Sequence, residues 1–206
     1  MNLDELRAVL HTSLAPRGAA WLATSLDLVG RDSTAIRALF PAAGRHCGRG
    51  PLAATSPALG GWTIEDAARV VLFAAAVDVA DELAGLYRDG SAAEQRALLL
   101  GLSHVDVGAR GFPLVVEALR SNDPRLVAAA MGDYGAEVLG DAAYRHGVLK
   151  CVFMGIPLAG VAGLGKRTDD ELVRMMRSFA AERAAAGRPV PDDLLARVPG
   201  LSRQDS

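Results

Sequence analysis

Thr63-Ile-Glu-Asp-Ala-Ala-Arg-Val-Val-Leu-Phe-Ala-Ala-Ala-Val77 is the stretch that decides the fold. A threonine with a carboxylate three residues later satisfies the first orphan amides of a helix. Beyond this cap lies the most apolar helical run in the chain, with Arg69 as its one charged interruption. No run of alternating, β-branched residues bounded by turns appears in this stretch or elsewhere, so a sheet would have to come from segments that read as helix.

The same start signature recurs at Asn2 with Glu5, Ser91 with Glu94, and Thr168 with Glu171. Asp123-Pro124 is a fifth start, because proline at the first helical position loses no hydrogen bond. Gly30, Gly44, Gly90, Gly101 and Gly187 read as stops. In the last long helix Leu172, Val173, Met176, Phe179 and Ala180 form an apolar stripe, with Arg174, Arg177 and Glu182 off it. These marks predict helices near 3–12, 16–29, 32–43, 64–88 with a break around Asp78, 92–102, 112–121, 124–138, 141–154, 157–163, 169–186 and 191–197. The expected fold is all-α, with antiparallel helical hairpins stacked as a HEAT-like α-solenoid or gathered into an irregular helical bundle.

The 206 residues are long enough to bury a core as one domain, 1–206, and a second full domain would leave both parts short. Half the residues are hydrophobic but only 5% aromatic, so Leu, Val and Ala must fill the interior and helices can approach closely. A net charge of −2 supplies no field to draw nucleic acid or an anionic membrane. Cys47 and Cys151 form neither a CxxC pair nor a disulfide framework, and the N-terminal Met-Asn-Leu-Asp-Glu-Leu carries acid where a signal peptide carries base. A cytoplasmic location is expected. The apolar runs 67–80 and 151–164 are too short and too interrupted for a transmembrane segment. The longest non-periodic segment, Gly44 to Trp62, is expected to be an exposed loop and a binding surface. The tail 199–206 is expected to be mobile.

Several residues invite chemistry. Arg69 reads either as an anion-binding arginine oriented by Asp66, or as an intrahelical ion pair with a carboxylate at i−3 or i−4. Lys150, inside Val148 to Met154, reads as a base, as a ligand contact, or as a lysine snorkelling along a helical groove. Gly44 to Gly50 could offer amides and the guanidiniums of Arg45 and Arg49 to an anion, but it lacks the Lys-Ser/Thr ending of a P-loop. His11, His46, His104 and His146 are scattered without metal-ligand spacing, so no metal and no cofactor is expected. Cys151 reads as a small core residue.

Together the segments Pro41 to Leu52, Trp62 to Arg69, Glu94 to Leu100, Val148 to Pro157, Gly163 to Arg167 and Glu182 to Arg188 resemble the EboA family, over about 21–193. Tyr144 stands where that family often has Trp, and Asn122-Asp-Pro124 is a shortened match. The resemblance implies a helical accessory protein encoded beside a prenyltransferase and sugar-enzyme relatives, in clusters that make or export secondary metabolites. The solenoid-like helices and the absence of catalytic motifs point to a non-catalytic binding or scaffold component. A cluster-encoded enzyme, a prenyltransferase or an anionic metabolite would lie along Arg45, Arg49, Arg69, Lys150, Arg167 and Arg188, with Arg183 a further candidate ligand contact. The rival expectation is an isomerase-like enzyme for a phosphorylated sugar or prenyl-phosphate-linked substrate, with Lys150 or His104 as proton carrier. Ala-rich helix faces make a homo-oligomer a third expectation.

Overall fold

The capping box at Thr63 forms: its hydroxyl accepts from the Asp66 amide, and the Asp66 carboxylate accepts from the Thr63 amide at 2.8 Å. Helix α4 (Ile64–Ala75) starts there, and every residue from Asp66 to Phe73 is buried. A helix apolar on all sides has to be surrounded. Helices α1 (Leu3–Ser13), α2 (Pro16–Val29), α3 (Ile36–Cys47) and α6 (Ala92–Gly101) all pack on it, and α5 (Leu83–Asp89) packs on α6. The contact between α1 and α4 skips two intervening helices. In the first unit these helices gather around α4 as a central helix.

A computed structural model describes residues 2–53 and 60–197. Part of the expected Gly44–Trp62 loop and the expected tail 199–206 lie outside these residues. The chain forms two compact units, the first ending at Val116 and the second beginning at Glu117, inside α7 (Phe112–Arg120). The second unit holds α8 (Pro124–Ala130), α9 (Asp133–Val138), α10 (Asp141–Met154), α11 (Leu164–Arg167), α12 (Asp170–Ala185) and α13 (Asp192–Leu195). There α10 packs against α8 and α12. Gly147 faces the fully buried Met131, and a Cβ at 147 would collide with its sulfur. Tyr144, also fully buried, donates its hydroxyl to the Ala162 carbonyl at 2.7 Å.

The all-α expectation holds. Among the described residues the only β feature is an isolated bridge between Pro51 and Thr63, which ties the two ends of the loop together. The break at Asp78 is present, with that residue in the left-handed region at φ 46°. Four expectations need correction. Gly44 does not end α3, which continues to Cys47 and stops at Gly48, φ 105°. The glycine at 44 instead makes room for the Glu65 carboxylate, which a side chain there would strike. The predicted helix over 124–138 is two helices, because Gly132 takes an extended backbone and starts α9. The predicted helix over 157–163 shrinks to a 3₁₀ turn at Leu158–Gly160. Finally, Asp169 rather than Thr168 caps α12, accepting from the Leu172 amide at 2.9 Å, while the Thr168 hydroxyl turns back to the Leu164 carbonyl.

Candidate functional site

A buried arginine in an apolar helix demands partners, and Arg69 finds them on three helices. Its side chain is 3% exposed. Nε donates to the Phe40 carbonyl of α3 at 3.1 Å. Nη1 lies 2.9 Å from Glu65 Oε2, one turn back on α4, in ion-pair contact without hydrogen-bond alignment. Nη2 is 3.7 Å from Glu94 Oε1 on α6. The guanidinium also sits 5.8 Å from the Phe40 ring centroid. Asp66 does not orient Arg69: its carboxylate accepts from the Thr63 hydroxyl at 2.6 Å and pairs with Arg96, whose other amine donates to the Gly61 carbonyl.

Immediately in front of this network the first unit has a cavity of about 470 Å³, within the size range of small-molecule sites. Helix α3 contributes Arg37, Phe40 and Pro41 to its wall. Pro41 withholds the N–H that the Arg37 carbonyl would receive in an unbroken helix. The segment 81–90 contributes Asp81, Glu82, Gly85, Leu86, Arg88, Asp89 and Gly90, and α6 contributes Glu94. Arg69 is not part of the wall. It stands behind it, holding Phe40 and Glu94, two of the wall residues.

Every carboxylate of the wall has a guanidinium. Glu82, itself buried, receives a fork from Arg37, Nε to Oε2 at 2.5 Å and Nη2 to Oε1 at 2.8 Å. That hydrogen bonding holds Arg37 above the ordinary arginine range. Asp81 lies 3.3 Å from Arg110, Asp89 lies 3.2 Å from Arg88, and Glu94 faces Arg69. Glu94 Oε2 also accepts from the Ser91 amide at 2.9 Å, completing the start of α6. Four acids thus stand against four cations.

The other residues singled out from the sequence do not line this cavity. Arg45 and Arg49 are exposed at the end of α3, Arg45 beside a parallel stack of His46 on Trp21 with ring centroids 4.6 Å apart. Arg49 Nε is 3.9 Å from Glu65, so Arg49 and Arg69 share that carboxylate. In the second unit Lys150 Nζ donates to the Leu119 carbonyl at 2.7 Å, near the end of α7. Arg167 lies over the Tyr144 ring at 4.1 Å, donates to the Ala136 carbonyl at 2.6 Å and to Asp141 at 2.8 Å. Lys150 is nine residues beyond Asp141, about 13 Å along α10, so the two cations serve different ends of that helix. Arg183 donates to the Pro189 carbonyl at 2.7 Å and lies 5.8 Å from the Phe179 ring. Arg188 is exposed, and His104 is half-buried in the turn after α6. Cys47 and Cys151 are free and buried, and desolvation pushes both thiols up to about 11.

Sequence reasoning misses Arg37 and Glu82, which form their fork across 45 positions. Its only local traces are a proline inside a helical run and the Gly85/Gly90 pair. Among the described residues no group of histidine, cysteine and acidic side chains is arranged to hold a metal ion, and no helix is long and apolar enough to cross a membrane. A family model described as Metabolite traffic protein EboA matches residues 3–199. No curated protein and no solved structure matches the chain.

Proposed function

Because the chain belongs to the EboA family, we propose that it works over its whole length as a non-catalytic accessory protein that holds a small metabolite during the making or export of a secondary product. The observation that carries this reading is the polar cavity of the first unit, of about 470 Å³ and walled by Arg37, Glu82 and Glu94. A holding site needs fixed, satisfied polar groups to orient a ligand. A general base needs a titratable group within reach of its substrate and free to take a proton. The wall of paired charges supports the first role. Lys150, named with His104 as a proton carrier of the enzymatic alternative, donates to the Leu119 carbonyl, and neither residue lines this cavity.

Gly85 supplies the test. A Cβ built there meets nothing closer than Arg88 Nη2 at 4.0 Å, so a larger side chain enters open space rather than the core. Gly85→Leu also replaces a poor helix former with a good one inside α5. Protein purified from its native host is expected to release a small molecule on denaturation, detected by mass spectrometry. Gly85→Leu is expected to be folded and empty. Equal release from wild type and Gly85→Leu, or no release from either, sinks the reading.

A second reading, docking of a partner enzyme, is favoured by one observation: Arg45 and Arg49 are exposed at the end of α3 that carries His46, which stacks on Trp21, and aromatic and arginine residues are common at interface centres. Co-purification of a cluster-encoded protein that is lost in Arg45→Ala/Arg49→Ala is the expected result. Retention of that protein by the double variant would exclude this surface.

A further inference from the structure

The wall of the first-unit cavity carries Asp81, Glu82, Asp89 and Glu94 but only two arginines, Arg37 and Arg88. Each of these acids is paired with a guanidinium, Asp81 with Arg110, Glu82 with Arg37, Asp89 with Arg88 and Glu94 with Arg69, so an entering phosphate or carboxylate meets no net positive charge. An ammonium group fares no better, because the same four pairs leave no acid without a cation. What remains on offer is hydrogen bonding. A carboxylate uses at most part of its lone pairs on one guanidinium fork, and the guanidinium keeps donors that the fork does not occupy. In the Arg37–Glu82 pair the fork takes Nε and Nη2, leaving Nη1 of Arg37 and further lone pairs of Glu82. Acceptor and donor therefore lie side by side, the pattern that a hydroxyl, itself both donor and acceptor, satisfies twice.

We infer that this cavity takes an uncharged, multiply hydroxylated ligand, with its hydroxyls bridging the Arg37–Glu82 pair. The inference rests on the holding role proposed above and specifies its ligand class. Charge balance sets the selectivity: with every acid paired to a guanidinium, neither an anion nor a cation finds a net opposite charge. Gly85, where a Cβ would meet nothing closer than Arg88 Nη2 at 4.0 Å, leaves room for a ring-sized molecule beside the pair.

Isothermal titration calorimetry with myo-inositol, inorganic phosphate and ethanolamine as probes tests this on wild type, Gly85→Leu and Glu82→Gln. Myo-inositol is expected to bind wild type, phosphate and ethanolamine not to bind, and Gly85→Leu to bind none. Glu82→Gln removes the charge that neutralises Arg37, so inositol binding is expected to weaken by about tenfold and phosphate binding to appear. Phosphate or ethanolamine binding wild type in preference to inositol overturns the ligand class and leaves the holding role standing. Absence of all three probes, with a host-derived molecule still retained by wild type and lost from Gly85→Leu, also overturns only the ligand class. Inositol binding that Gly85→Leu does not affect places the ligand elsewhere and overturns the assignment to this cavity.

Discussion

Arg69 shows how a single charged residue can hold a helical bundle. Two carboxylates of low exposure and a main-chain carbonyl converge on it from α3, α4 and α6. Arg69→Met leaves Glu65 only the more distant Arg49 and Glu94 only the Ser91 amide, their side chains being 13% and 15% exposed, and is expected to cost about 2–4 kcal/mol of stability in urea unfolding. Arg69→Lys keeps the charge but gives up the planar reach to three partners, so an intermediate loss is expected. A change within about 0.5 kcal/mol for Arg69→Met would show that the network is not a stability determinant. Lys150 is a milder case. Lys150→Met uncovers the Leu119 carbonyl and is expected to cost about 1 kcal/mol with the fold intact.

The helices differ in how openly their ends are written. Thr63 and Ser91 form their capping boxes because the oxygen and the carboxylate sit on adjacent turns of the same segment. At α12 the rule fails because Thr168 has a competing acceptor in Leu164, and Asp169 is the better cap with Arg145 beside it. The Arg145 hydrogen bond, then the Leu172 amide, hold the Asp169 carboxyl down to about 2 from an ordinary 3.8. A depressed pKa means that this contribution is complete above the ordinary value and disappears as pH falls from 3.8 through about 2. An NMR titration is expected to find Asp169 at that low midpoint, and Arg145→Ala to move it upward; no movement would detach the cap from the pair. Gly147 is silent in the sequence, since the Met131 sulfur it faces lies 16 positions away. Gly147→Ala is expected to cost about 1–3 kcal/mol by overpacking, read as a lowered melting temperature. Local rules thus expose helix starts and the Glu65 partner of Arg69, whereas the Arg37–Glu82 fork and the Asp66–Arg96 pair exist only after folding brings distant segments together.

Across the whole molecule, all-α architecture is legible from periodicity and caps, but the division at Val116 is not, because it falls inside the unbroken pattern of α7. Each unit encloses one buried thiol, Cys47 in the first and Cys151 in the second. With both thiols pushed up to about 11, neither is expected to react with iodoacetamide at neutral pH in the native protein, and both are expected to react once it is unfolded. Rapid native labelling of either would contradict its burial. The two sulfurs consequently act as independent clocks of local opening. Timed alkylation and peptide mass mapping together read each unit's breathing rate without any added dye, and a variant that loosens α3, such as Arg69→Met, should start the Cys47 clock while that of Cys151 stays slow.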